Sequence, residues 1–260
     1  MRRRVLILAA ALLLGPGCNP KMEKPPPEQP VLSDLVDYRT GLTMLREGRT
    51  DEAIALLARA RQSNPRDPNV SNALGLALLY KKDYKGAEKA FGEALQLRPD
   101  FPEALNNRGV TYLEANRLDD AERDFQSVLD GPPSVDRANA YYNLGLVYKK
   151  RSQWVDAERE LSLAIADSPG MLRAYRERGL VRVKLENFRD ALEDFLTYLK
   201  EDSKDAAANY NAALCLLAVG RRDIALKYME RAAVAAPESD DGRRARRFLD
   251  AEHRRPGEPK

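Results

Sequence analysis

Small and large apolar residues recur in this chain with a period of about 34 residues. We aligned the sequence on unit starts at 34, 68, 102, 138, 172 and 206. Position 8 of each unit is then small: Gly41, Gly75, Gly109, Gly145, Gly179 and Ala213. Position 20 is always alanine: Ala53, Ala87, Ala121, Ala157, Ala191 and Ala225. Position 24 is always large and apolar: Leu57, Phe91, Phe125, Leu161, Phe195 and Met229. Such a period is typical of repeat proteins, so the pattern predicts six copies of one structural unit.

Each unit is predicted to form two antiparallel helices of about 12–14 residues, joined by a short polar turn. Small residues at positions 8 and 20 let the two helices approach closely, and the large residue at position 24 fills the space between neighbouring units. Proline at position 32 cannot continue the second helix, so it is expected in the turn before the next unit. These prolines are Pro65, Pro99, Pro133, Pro169 and Pro237, with Ser203 in the fifth unit. The pattern therefore predicts an all-α chain.

This combination of positions resembles the tetratricopeptide repeat family over residues 34–239. The resemblance implies a right-handed superhelical solenoid of six helical hairpins, with units at 34–67, 68–101, 102–137, 138–171, 172–205 and 206–239. The chain departs from the family pattern at Ser203, at Tyr198, where a small residue is usual, and at Arg108 and Arg178, where position 7 is usually aliphatic. We expect these departures to loosen the packing of the third and fifth units.

Residues 240–260 follow the sixth unit and contain Phe248 and Leu249 among six arginines. A repeat array needs a polar cap over its final apolar face, which predicts a capping helix followed by a charged tail. Contact of the arginines with anionic lipid headgroups is an alternative role for this segment.

The amino terminus has the layout of a secretory signal peptide. Three arginines at 2–4 precede a ten-residue apolar run at 5–14, and Gly15, Pro16 and Gly17 follow. The apolar run is too short to cross a membrane, which takes about 20 residues. We therefore predict that residues 1–17 are a cleaved signal peptide.

The junction of Gly17 and Cys18 resembles a bacterial lipoprotein processing site, where the cysteine becomes the first mature residue and carries acyl chains. Gly15 and Pro16 depart from that motif, so ordinary signal cleavage and an uncleaved leader are the alternatives. Asn19 follows the cysteine. The resemblance then implies a lipid anchor on the periplasmic face of the outer membrane, with a soluble periplasmic protein as the alternative.

Residues 18–33 are predicted to be a tether between this anchor and the repeats. They contain five prolines, which favour polyproline II and cannot lie inside a helix. At about 3.1 Å per residue, the segment would hold the repeats roughly 45 Å from Cys18.

Charge and composition exclude several classes of function. Of 43 basic residues, three lie in the predicted signal peptide, which leaves 40 to balance 40 acidic ones and provides no basic footprint for nucleic acid. One histidine, His253, and two cysteines, Cys18 and Cys215, cannot supply a typical zinc site or histidine-based catalysis. Cys215 lies among apolar residues and is expected to be a small buried side chain. We therefore expect a non-enzymatic protein without cofactor or metal.

A protein partner is expected to bind along the first helices of the units. In the tetratricopeptide family these helices line a concave groove, mainly through positions 2, 5, 9 and 12. Position 5 holds Tyr38, Asn72, Asn106, Tyr142, Arg176 and Tyr210. Position 9 holds Leu42, Leu76, Val110, Leu146, Leu180 and Leu214. Asparagine can pair with an extended main chain, and tyrosine offers rigid contact area with a polar tip. The aliphatic residues of position 9 could instead pack neighbouring first helices together.

Six units behind a lipoprotein-like leader resemble the pilotins of the type IV pilus secretin. The third and fourth units are separated by 36 residues rather than 34, through a proline-containing segment at 129–136. The segments LNNRG at 105–109 and YYNLG at 141–145 also look like those of pilotins. The resemblance implies a secretin subunit as partner. The alternative is an envelope adaptor that recruits peptidoglycan enzymes or other envelope proteins. The lysine and asparagine clamp for heat-shock chaperones is missing, since no unit has lysine at position 5 or asparagine at position 9.

Overall fold

A computed structural model describes residues 32–131 and 137–254, and within these ranges the regular structure consists of thirteen helices. They are α1 Leu32–Arg46, α2 Thr50–Ser63, α3 Pro68–Tyr80, α4 Tyr84–Leu97, α5 Pro102–Glu114, α6 Leu118–Asp130, α7 Arg137–Lys150, α8 Trp154–Asp167, α9 Leu172–Lys184, α10 Phe188–Leu199, α11 Ala206–Ala218, α12 Arg222–Ala235 and α13 Asp240–His253. The predicted signal peptide, Cys18 and nearly all of the tether lie outside the described residues.

The helices pack in the order of the chain. Each odd-numbered helix from α1 to α11 packs on the even-numbered helix that follows it, which makes six hairpins. The second helix of each hairpin packs on the first helix of the next, and α13 packs on α12 and α11. The prediction of an all-α solenoid of six hairpins with a capping helix is confirmed.

Glycine at position 8 is required by the large residue at position 24 of the same hairpin. A Cβ atom on Gly145 would lie 2.6 Å from Cγ of Leu161, and one on Gly109 would lie 2.6 Å from Cε1 of Phe125. Phe125 is fully buried and belongs to one core cluster with Leu144 of the next unit. Position 24 therefore fills the space between units, as predicted, and it also sets the close helix approach within its own unit.

The turn inside every hairpin places position 15 in the left-handed backbone region. Two of the six residues are glycines, Gly48 and Gly220, with φ of 76° and 77°. The other four have φ between 58° and 63°, and they are Lys82, Asn116, Ser152 and Glu186. A residue with a Cβ atom is strained by about 1–2 kcal/mol in this region, so four of the turns carry a small cost.

The two arginines at position 7, where looser packing is expected, are each paired with an aspartate of their own unit. Arg108 donates two hydrogen bonds to Asp124, of 2.7 and 2.8 Å, and Arg178 donates two to Asp194, of 3.0 and 2.7 Å. Both aspartates are buried at position 23 of the same unit. A bidentate ion pair therefore joins the two helices of the third unit, and another joins those of the fifth.

Hydrogen bonds replace the missing proline in the turn before the sixth unit. The fully buried side chain of Asn209 donates to the carbonyl oxygens of Ser203, at 3.0 Å, and Asp205, at 2.8 Å. Tyr198 donates to Oδ2 of Asp205 at 3.0 Å, and burial together with this bond raises the pKa of Tyr198 to about 12. The departures at Tyr198 and Ser203 are thus compensated by bonds across the turn.

The capping helix α13 closes the apolar end of the array. Ala245 is fully buried, and Phe248 and Leu249 pack against the core cluster of α11 and α12. The side chain of Ser239 accepts the N–H of Gly242 at 3.0 Å and caps the helix. A Cβ atom on Gly242 would lie 2.0 Å from the carbonyl oxygen of Ala236, so this tight turn requires glycine.

Candidate binding groove

All twelve predicted groove residues lie on the first helices of the hairpins, and each is half-buried. Leu42, Val110, Leu146, Leu180 and Leu214 pack against buried core clusters while part of each side chain stays accessible. Tyr38, Tyr142 and Tyr210 pack in the same way. Position 9 therefore combines packing with an accessible surface, and the tyrosines contribute to the core as well.

A cavity of about 620 Å³ opens between the first helices of the second, third and fourth units. Three of the predicted residues line it: Leu76, Asn106 and Val110. Asn107, Asn139, Asn143 and Arg173, at positions 6 and 2 of their units, also line it, and Lys82 and Glu114 do so near the hairpin turns. The polar lining therefore comes from more positions of the repeat than position 5.

The asparagines at positions 5 and 6 bond to each other across neighbouring units. Nδ2 of Asn107 donates to Oδ1 of Asn72 at 3.2 Å, and Nδ2 of Asn143 donates to Oδ1 of Asn106 at 2.9 Å. We call these four residues the amide row. A carboxamide has two N–H donors and an oxygen that can accept twice, so a single bond leaves capacity for another partner. Such capacity suits the N–H and C=O groups of an extended chain.

Charged residues occupy the equivalent surface of the fourth and fifth units. Arg176 donates to Oε1 of Glu177 at 2.9 Å and to Oδ2 of Asp205 at 3.3 Å. Lys149 donates to Oε2 of Glu177, which is only 9% exposed. Burial disfavours the charge on Arg176, but Asp205 and Glu177 outweigh it and raise the pKa of Arg176. We call Lys149, Arg176, Glu177 and Asp205 the ionic cluster, and its members are engaged with one another.

Arg173 lies beside the amide row on the ring of Tyr142. The guanidinium carbon is 4.5 Å from the ring centroid, and Nη2 donates to Oδ1 of Asn139. Burial is the main cause of a raised pKa of the Tyr142 hydroxyl. A second cavity, of about 710 Å³, is lined by Asn139, Arg173 and Met171. Because Asn139 and Arg173 line both cavities, the accessible surface continues past them.

Three further features of the described residues concern metal binding, membrane crossing and the reactivity of a thiol. Among the described residues, no group of three or more histidines, cysteines, aspartates or glutamates is placed to hold a metal ion. No helix in the same part of the chain is long and apolar enough to cross a membrane. Cys215 is fully buried, as predicted, and burial raises the pKa of its thiol to about 12, so the reactive thiolate is scarce at neutral pH.

Comparisons with known proteins agree with this architecture. A family model described as tetratricopeptide repeat matches residues 38–100, 72–136, 108–171 and 176–240. The structure of PilF from Pseudomonas aeruginosa is similar, with a TM-score of 0.75, 19% identity, and coverage of 85% of this chain and 97% of that chain. PilW, described as a widely conserved type IV pilus biogenesis factor, has a TM-score of 0.74, 21% identity, and coverage of 82% and 98%.

A human protein O-mannosyl-transferase, TMTC3, is 27% identical in an alignment of 198 residues that covers 71% of this chain and 22% of that protein. The chain thus spans about a fifth of the length of this curated relative. At these identities the solved structures establish the fold alone, whereas the family model covers nearly all of the six units. The chain belongs to the tetratricopeptide repeat family.

Proposed function

We propose that this chain is a lipid-anchored scaffold of the bacterial outer membrane that binds a subunit of the type IV pilus secretin and aids its assembly. The coarser conclusion stands without the proposal: the chain is a tetratricopeptide protein-interaction scaffold with the fold of type IV pilus biogenesis factors. The proposed secretin role rests on the agreement of this fold with two solved structures along almost their full lengths. PilF and PilW are matched over 97% and 98% of their lengths, so nearly the whole fold of each aligns with this chain.

The amino-terminal sequence supports placement at the membrane. A predicted signal peptide that ends at Gly17, just before Cys18, and a proline-rich segment before α1 suit a protein that is exported and held at a distance from the bilayer. Replacing Cys18 with Ala is expected to release the protein as a soluble periplasmic form. Mass spectrometry of membrane-extracted wild type should find acyl chains on Cys18, and an unmodified cysteine there would remove the anchor from the proposal.

The amide row and its cavity support the first half of the groove as the docking surface. Leu76 and Val110 offer apolar contact area beside Asn106, and the asparagines can pair with a main chain whatever its side chains are. The charged groups of the ionic cluster already bond to one another, so they are less available to a partner than the asparagines. A partner segment is therefore expected to engage the second, third and fourth units.

The test is secretin assembly in a strain that lacks this gene. Secretin subunits should still be made, but they should not form heat-resistant multimers in the outer membrane. Normal multimers in the deletion strain would reject the secretin role. They would favour the alternative, an envelope adaptor that recruits peptidoglycan enzymes or other envelope proteins.

Complementation can locate the docking surface. A double variant, Asn72→Ala with Asn106→Ala, should bind the secretin about tenfold more weakly, since each lost hydrogen bond is worth about 0.5–1.5 kcal/mol. Asn211→Ala is the matched control, because Asn211 is a half-buried asparagine of α11 that bonds to its own helix at Ala207. Restored multimers with the control but not with the double variant are expected. Equal restoration by both would move the docking surface away from the amide row.

A further inference from the structure

We infer that Arg173 binds the carboxylate of an aspartate or glutamate side chain on an extended partner segment that lies along the amide row. The inference rests on the proposed use of this groove for partner binding, and it adds the chemistry of one residue of the partner. Three observations on α9 and its neighbours carry it: the pairing of the other arginines, the support beneath Arg173, and the position of Arg173 between two cavities.

Arg173 differs in its partners from the other arginines of α9. Arg176 pairs with Glu177 and Asp205, and Arg178 and Arg182 both pair with Asp194. Among the described residues, Arg173 has no carboxylate partner, although Glu114 lines one adjoining cavity and Asp167 the other. Its charge is therefore not neutralised by the chain itself, and it is exposed to the groove.

The guanidinium of Arg173 is nevertheless held in place. The Tyr142 ring supports one of its faces, and Asn139 accepts from Nη2. A guanidinium has five N–H donors in a planar fork, so four remain after this bond: two on Nη1, one on Nε and the second one on Nη2. The second N–H of Nη2 and a neighbouring N–H on Nη1 or Nε leave one edge of the fork for a bidentate carboxylate, and the supported fork loses little side-chain entropy when it binds one.

The position of Arg173 between two cavities indicates whether it binds a side-chain carboxylate of the partner or the terminal carboxylate of the partner chain. Arg173 and Asn139 line both the cavity that holds the amide row and the second cavity toward Met171. A terminal carboxylate bound at Arg173 would leave the second cavity without a ligand. A segment with an internal acidic residue can continue through it, so an aspartate or glutamate side chain is the better match.

The first test uses a library of random 12-residue peptides displayed on phage and selected on the full chain in detergent. Wild type and the control Arg246→Gln, which removes an exposed arginine from α13, should both enrich peptides with an acidic residue at one common position. Arg173→Gln should lose that preference. Selected peptides whose binding requires Asn106, but which share no acidic residue at a common position, would overturn this inference and leave the groove assignment intact. If wild type enriches no peptide, the inference and the peptide groove fall together.

The second test measures the contact directly. The best selected peptide and an analogue with its acidic residue changed to the amide are titrated by fluorescence anisotropy. Wild type should bind the analogue about tenfold more weakly, the loss typical of a charge-assisted hydrogen bond. Arg173→Gln should bind the two peptides within about twofold of each other, because the two changes then remove the same interaction. Equal losses on both proteins would mean that the acidic residue contacts another group.

Discussion

The first and second halves of the groove use the same positions of the repeat in opposite ways. In the amide row, positions 5 and 6 hold neutral carboxamides that bond in pairs across units. In the ionic cluster, the same positions hold Arg176 and Glu177, which bond to each other, to Asp205 at the end of their unit and to Lys149 of the preceding unit. A position number in a repeat therefore predicts where a side chain lies, but the neighbouring units decide whether it is available to a partner.

The difference has an energetic reason. An amide pair can be exchanged for bonds to a partner at small cost, because a net hydrogen bond is worth about 0.5–1.5 kcal/mol. Removing one member of a buried ion pair costs about 3–5 kcal/mol, since the other charge loses its partner. The amide row is thus suited to binding and the ionic cluster to holding units together. Four sets of variants test this division.

The largest effect is expected from Glu177→Ala in the ionic cluster. The change leaves Lys149 and Arg176 as two neighbouring cations without their shared carboxylate. Both cations are partly accessible to water, so we expect a loss of about 2–3 kcal/mol rather than the full value for a buried pair. Urea unfolding followed by circular dichroism measures it. Peptide affinity of the folded variant should stay within about twofold of wild type, and a larger loss would mean that the ionic cluster also binds.

Gly145→Ala disturbs α7, the helix that carries members of both halves. Its new Cβ atom would lie 2.6 Å from Cγ of Leu161, so that side chain must move. Overpacking of this kind costs about 1–3 kcal/mol, partly offset by the better helix propensity of alanine. We expect a net loss of about 1–2 kcal/mol by calorimetry. Adding Leu161→Met should recover part of the lost stability, because the sixth unit combines Ala213 with Met229. An unchanged melting temperature of the single variant Gly145→Ala would contradict the contact between position 8 and Leu161.

Asn106→Ala should lower both stability and peptide affinity, whereas Glu177→Ala should lower stability alone. It removes one inter-unit hydrogen bond, from Asn143, and should lower the free energy of unfolding by about 1 kcal/mol. Peptide affinity should fall about fivefold, because a donor and an acceptor are lost from the groove. Unfolding by urea and anisotropy titration on the same sample give both numbers. Unchanged affinity would show that the amide row is only a structural device.

The smallest effect is expected from Ser152→Gly and Glu186→Gly in the turns after α7 and α9. Both residues have φ near 60°, a region where a Cβ atom is unfavourable. Glycine relieves this cost but adds entropy to the unfolded chain, so we expect a gain of at most about 1 kcal/mol from each. Gly220→Ser is the matched control and should lose a similar amount, since φ of Gly220 is 77°. Peptide affinity should not change in any of the three.

The parts of the site that sequence reasoning missed share one property: their partners come from another unit. Asn107 and Asn143 became relevant only when the structure showed them bonded to Asn72 and Asn106. A signal was present, since asparagine occurs at position 6 next to position 5 in the segment 105–109. Arg173 stands at position 2, which the family pattern places in the groove, but its support by Tyr142 depends on how α7 and α9 cross.

The sequence alone determined the repeat unit, the number of units and the need for a cap. The side-chain sizes at positions 8, 20 and 24 determine the helix packing within a unit and between neighbouring units, and this pattern recurs about every 34 residues. Only the tertiary structure decided the polar pairing, including the bonds of Arg108 and Arg178 to buried aspartates. Long polar side chains can reach several partners, and their choice depends on distances and burial that no repeat pattern records. The same backbone therefore carries the amide row in the second to fourth units and, in the fourth and fifth units, an ionic cluster whose members bond to one another.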